Sequence, residues 1–290
     1  MAGAQERATR VTTEERKARE WALVLESAGI PYQLRGDAAH WVLIVPSCDE
    51  VSALETLDAY DRENPISPAA AAAAPEYGRT CAGILMALSL LAFYAMTSWS
   101  GGAAAWTRQG NASALRILEG EWWRTATALT LHASVAHVAS NAVSCALFAT
   151  VVCRALGPGV GLWLMLLAGA GGNALNAILR GPPHSAVGAS TAVFGAVGTL
   201  GTLQFMSRYR LGASRRAAWV PIAAALALLA MLGTGAQTDV LAHLFGLLTG
   251  GLLGVAASRI RPRPPGRATQ FALVLAAMAT LAAAWAAALR

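Results

Sequence analysis

Seven stretches of the chain run without a single Asp, Glu, Lys or Arg: 80–107, 125–153, 155–179, 181–207, 217–238, 240–258 and 268–289. Each is long enough to cross a bilayer. About 20 apolar residues at roughly 1.5 Å rise each span a hydrocarbon core, and a helix satisfies its own backbone there. The first 66 residues follow another pattern. Residues 13–28 have helical spacing, YQLRG and HWVLIV read as two short strands around a Gly-Asp turn, and SCDEVSALETLDAYDREN reads as a Ser-capped amphipathic helix. NPISPAAAAAAPEYG then forms a Pro/Ala connection. The pattern predicts a soluble α+β domain over 1–66, a linker over 67–79, an all-α polytopic membrane body over 80–258, and one more transmembrane helix over 268–289.

Composition agrees with that division. Of 290 residues 56% are hydrophobic and 13% charged, and the mean hydropathy is +0.47. All but three acids precede Tyr77; only Glu119, Glu121 and Asp239 follow it. A net charge of +6 would suit a nucleic-acid partner, but the later arginines stand in short loops, where membrane orientation accounts for them and no nucleic acid is expected. Arg208, Arg210, Arg215 and Arg216 lie between spans four and five, and Arg259, Arg261, Arg263 and Arg267 between six and seven. These loops are expected in the cytoplasm, with the N-terminus inside and the C-terminus outside. No apolar leader precedes the first span, which is expected to direct insertion itself. Cys48, Cys81, Cys145 and Cys153 lack metal or CxxC spacing, and the last three are expected to be buried, reduced thiols. The N-terminal domain carries no cluster of catalytic type and reads as a docking or regulatory module for a partner the sequence does not name.

A polar group at bilayer depth costs about 1–3 kcal/mol or more unless partnered, so its position is informative. His137 and Asn141 are four residues apart on the second span, on one helix face. His132, five before His137, would be turned away on the same helix and would brace the preceding loop. Ser190 opens the fourth span after Gly-Pro-Pro-His-Ser, with free helix N–H groups around it that can stabilise an oxyanion. On the sixth span His243, Gly246, Gly250 and Gly254 share a stripe of small residues that admits a neighbouring helix, and Gly198 and Gly201 of the fourth span offer the matching surface. Packed so, the imidazole of His243 can reach the Ser190 hydroxyl.

Taken together, EWWRT with Trp123 and Arg124, the His132/His137/Asn141 group, GAS at 188–190 and AHLFGLLTG around His243 resemble the rhomboid family of intramembrane serine proteases, over roughly residues 80–257. The resemblance implies a six-helix core, with the N-terminal domain and the seventh helix outside it. It implies Ser190 as nucleophile, His243 as base, and His137, Asn141 and the Ser190 amide as an oxyanion hole. It further implies Gly188 in a close turn, Phe194 stacked on the imidazole, the Trp123-Arg124 loop as a brace, transmembrane proteins in the bilayer as substrates, and neither metal nor cofactor. Substrate would arrive between spans two and five, under a cap formed by GTGAQTD at 233–239. The expected place is a bacterial inner membrane, with the site open to the outer side. Two other readings compete: an inactive relative that binds membrane clients, which the presence of both Ser190 and His243 disfavours, and a small transporter, which would need membrane acids that the chain lacks apart from Asp239.

Overall fold

The computed structural model describes residues 6–36, 40–64, 77–99, 102–232, 238–261 and 264–290. Residues 67–76 of the expected linker and 233–237 of the expected cap lie outside them. The chain divides into two units, Met1–Ala71 and Ala72–Arg290.

The first unit holds β1 (Glu6–Thr12), α1 (Glu15–Ser27), β2 (Gln33–Gly36), β3 (Trp41–Pro46) and α2 (Glu50–Glu63). The antiparallel sheet has the order β1-β3-β2, so β3 is central and its Leu43 and Val45 meet Trp21 and Leu25 of α1 and Leu57 of α2 in one core. Strand β1 has no counterpart in the sequence reading; its charged, weakly alternating ERATRVT becomes a strand because β3 offers it an edge. Ser47 does not cap α2. Asp49 stands at the N-cap, without a side-chain hydrogen bond. Lys17, the chain's only lysine, is 5% exposed and reaches Asp61 at 2.6 Å, beside Trp21 and Tyr60. Burial pushes the Asp61 carboxyl up, but hydrogen bonds from Lys17 and Trp21 and the charges of Lys17 and Arg10 outweigh it and hold it below its ordinary value.

The second unit is helical: α3 (Ala82–Trp99), α4 (Ala103–Gly110), α5 (Ala114–Leu118), α6 (Arg124–Thr127) with a 3₁₀ turn at Ala128–Thr130, α7 (Val135–Leu156), α8 (Pro158–Arg180), α9 (Ser190–Arg210), α10 (Arg215–Leu232), α11 (Val240–Ile260) and α12 (Arg267–Ala288). Among the described residues five helices, α3, α7, α8, α11 and α12, are long and apolar enough to cross a membrane. α9 falls short because freedom from charge is not the same as apolarity: Thr, Gly and Gln dilute it, and it ends in Arg208 and Arg210. It lies inside the bundle, with every residue from Thr191 to Thr199 buried, so its neighbours rather than lipid set its composition.

α9 sits between α8 and α11, with α10 packed mainly on α9. β4 (Ala112–Ser113) and β5 (Ser185–Ala186) pair antiparallel and join the loop after α4 to the loop before α9. α12 is held by a buried amide: Gln270 Oε1 accepts from the N–H groups of Gly159 (2.8 Å) and Val160 (3.0 Å), and Nε2 donates to the Leu156 carbonyl (2.8 Å). Free N–H groups at the start of α8 and a free carbonyl at the end of α7 are thereby satisfied by one side chain. All four cysteines are free, but only Cys145 and Cys153 are buried; Cys81 is exposed, just before α3.

Candidate active site

α9 begins at Ser190, with Ala189 as its N-cap residue. The turn before it needs Gly188, whose φ is +132°, a conformation L side chains rarely adopt, and a Cβ there would stand 2.7 Å from His137 Nε2. The backbone of this turn is tied down from one side. Gly188 N–H donates to the Ala128 carbonyl (2.9 Å), and Ala189 N–H to His132 Nε2 (3.5 Å). His132 thus holds the turn before Ser190, not the loop before the second span as expected: α7 starts only at Val135, so His132 lies in a loop and a helical wheel does not place it. Its ring packs edge-on against His137 at 5.1 Å.

His243 comes from the first turn and a half of α11, is 5% exposed, and places Nε2 2.8 Å from Ser190 Oγ. Phe194, one turn into α9, lies across the imidazole with centroids 4.7 Å apart and planes tilted by 31°. The two helices approach this closely because glycines line their contact. A Cβ on Gly246 would overlap the Thr191 carbonyl and one on Gly250 the Gly195 carbonyl, while Thr199 Oγ1 donates to the Gly250 carbonyl at 2.9 Å. Gly198 faces α11 as expected, but Gly201 does not; it faces Pro221 and Ala225 of α10. The face of α9 turned to α11 runs through Thr191, Gly195, Gly198 and Thr199.

His137 and Asn141 share the face of α7 turned to a cavity of about 600 Å³ that also reaches Gly188, Ser190 and His243. His137 Nδ1 accepts from the Ala133 N–H (3.4 Å), which leaves the proton on Nε2, the atom nearest Gly188. Asn141 Nδ2 gives one hydrogen to the His137 carbonyl at 3.1 Å and keeps a second for the cavity. Ser190, Thr191 and Ala192 N–H groups begin the helix and have no preceding turn to bond. Donors thus stand around the hydroxyl on two sides. Arg124, 7% exposed, is clasped by Glu121 (2.5 Å), the Arg108 carbonyl (2.9 Å) and Asn111 Oδ1 (3.1 Å), so it joins α6 to the end of α4; Trp123 precedes it with its indole nitrogen buried.

The Rhomboid domain family model matches residues 119–260. "Putative rhomboid protease YdcA" of Bacillus subtilis is 32% identical over 141 residues, 48% of this chain and 69% of that protein. The chain belongs to the rhomboid family. "Rhomboid protease GluP" of Bacillus subtilis is 38% identical over 84 residues, 29% of this chain and 16% of GluP, and "RHOMBOID-like protein 1" of Arabidopsis thaliana is 32% identical over 135 residues, 46% of this chain and 34% of that protein. This rhomboid is a multi-pass membrane protein. The matched region leaves its N-terminal unit, α3 to α5 and α12 outside, so it begins later than the expected 80–257.

Sequence reasoning missed several residues of the site. Asn173, 3% exposed, lines the cavity and donates to the Thr125 carbonyl at 2.9 Å. Asn176, His184 and Asp239 form a polar cluster at its edge. A His in a Pro-rich turn and an Asp at a helix end carry no spacing signal that joins them.

Proposed function

We propose that this rhomboid is a serine endopeptidase that cuts transmembrane segments of other membrane proteins with a Ser190-His243 pair. The observation that carries the reading is the 2.8 Å contact between His243 Nε2 and Ser190 Oγ, made by residues 53 positions apart. In the first step Ser190 Oγ attacks the scissile carbonyl carbon as His243 Nε2 takes the hydroxyl proton, giving a tetrahedral oxyanion. His137 Nε2–H, the second amide hydrogen of Asn141 and the Ser190 N–H are the donors available to that oxygen. His243 then gives its proton to the departing amine and an acyl-enzyme remains. Water, deprotonated by the same imidazole, releases the acid and restores the hydroxyl.

A third, acidic member is not needed to orient the imidazole, because packing against Phe194 and burial between α9 and α11 hold it, and a carboxylate at this depth costs several kcal/mol. The full chain crosses the membrane seven times in this reading, α9 and α10 included, as a six-helix core followed by α12. The arginine-rich loops put the N-terminal domain in the cytoplasm, and the site opens to the outer face of a bacterial inner membrane. Substrate reaches it between α7 and α10, past Phe148 and Leu228, which line the cavity. The 1–66 domain and the 67–79 linker serve as a docking module and tether.

The test is cleavage of a reporter transmembrane protein in liposomes. Ser190→Ala and His243→Ala are each expected to abolish cleavage while the protein remains folded in detergent; wild-type rates in either would overturn the reading.

A further inference from the structure

The carboxylate of Asp239 joins three segments. Oδ1 accepts from the Ala242 N–H at 3.2 Å and so caps α11, and one turn on, the His243 N–H donates to the Asp239 carbonyl at 3.1 Å. Oδ2 accepts from His184 Nε2 at 2.7 Å and from Asn176 Nδ2 at 2.6 Å, and Arg180 Nη1 stands 3.4 Å from Oδ1. Asn176 and Arg180 belong to the last turns of α8. His184 belongs to the loop that runs through β5 to Gly188 and Ser190, and its carbonyl accepts from Ala114 N–H at 2.9 Å, which ties the loop to α5 as well.

This arrangement is more than a helix cap. A cap needs one acceptor oxygen, and Oδ1 supplies it. Oδ2 is turned the other way, onto one donor from α8 and one from the loop that leads to Ser190. The glycine contacts fix α11 against α9 from Gly246 onward, below His243. Above His243, Asp239 connects α11 to α8 and to the loop of Ser190. We propose that Asp239 is a positioning residue which, through His184 and Asn176, holds the helix carrying His243 in register with the segment carrying Ser190. The inference rests on the reading of Ser190 and His243 as the reacting pair.

Asp239→Asn separates the two roles. Asn keeps an oxygen for Ala242 and remains a good cap, but its amide group meets the donors of His184 and Asn176, so the cap survives and the tie breaks. A misplacement of about 1 Å at reacting atoms can cost about a hundredfold in rate. The measurement is kcat and KM on the liposome reporter for the full chain, with thermal midpoints alongside. Asp239→Asn and His184→Ala are each expected to lower kcat about tenfold to a hundredfold with KM little changed. The double variant should be no slower than the slower single one, because both break the same tie. His184→Gln, which keeps an N–H donor, should recover most of what His184→Ala loses. Wild-type kcat in Asp239→Asn, or additive losses in the double variant, would overturn the inference. If Ser190→Ala is inactive while Asp239→Asn is fully active, only the positioning role falls; if Ser190→Ala still cleaves, the reacting pair itself is wrong.

Discussion

Gly250 of α11 lies so close to the Gly195 carbonyl of α9 that there is no room for a side-chain carbon between them. That contact is five residues below Ser190 on one helix and seven below His243 on the other, and it sets the helix separation at which a serine and a histidine can meet. Gly250→Ala is therefore expected to act at a distance. Overpacking of this kind costs about 1–3 kcal/mol, and here the obstacle is backbone, which cannot rotate away. The expected outcome is a lower thermal midpoint together with slower fluorophosphonate labelling of Ser190; unchanged labelling would show that the helices tolerate a wider spacing.

His137 is expected to act on the chemical step. Its Nδ1 is engaged by Ala133, so its Nε2–H is set toward the oxyanion position. Removing one oxyanion donor typically costs about 10²–10³ in kcat. His137→Ala should show that loss with little change in KM. Asn141→Ala should lose less, since one of its amide hydrogens is spent on the His137 carbonyl. Equal, small effects of both on KM alone would mean that they bind substrate rather than stabilise the oxyanion.

Cleavage should fall reversibly as pH drops from 8 to 5, because a base must be neutral to accept a proton. Asp239 does not explain such a loss. Burial pushes its carboxyl up, but the Ala242 N–H, Asn176 and His184 outweigh that and hold it below its ordinary value. Its lowered pKa means that its contribution is present at neutral pH and is lost only on acidification below the usual carboxylate range, about pH 4. A kcat profile that is flat from pH 8 to 5 would contradict the role given to His243.

Helix α12 should prove integral rather than appended. Gln270 is 1% exposed and satisfies three backbone groups at the α7-α8 junction, while Trp285 donates to Thr130 Oγ1 at 3.1 Å, two residues before His132. Gln270→Ala leaves buried groups unpaired, at about 1–3 kcal/mol. A fall of several degrees in thermal midpoint is expected, and no change would show that the junction is satisfied without α12.

Much of the site was legible because helical spacing is a strong constraint: His137 with Asn141, and His243 with Gly246 and Gly250, each fall on one face by arithmetic alone. The partner face on α9 was only half legible. Gly198 was placed correctly, Gly201 turned to α10, and Gly195 and Thr199 carried the contact instead, because the direction in which a buried helix faces each neighbour depends on packing. Loops were the weakest part. Charge-free length suggested one span over 125–153, whereas 124–134 forms a short helix, a 3₁₀ turn and a loop, which is what places His132 under the Ser190 turn. The tie between His184 and Asp239 joins residues 55 positions apart across an irregular segment, and no periodicity encodes it.

The most direct test is labelling of the intact protein with a serine-directed fluorophosphonate, followed by mapping of the adduct by mass spectrometry. A single adduct on Ser190, lost when His243 is replaced by Ala, is the expected result. An adduct on another serine, or full labelling of Ser190 without His243, would contradict it.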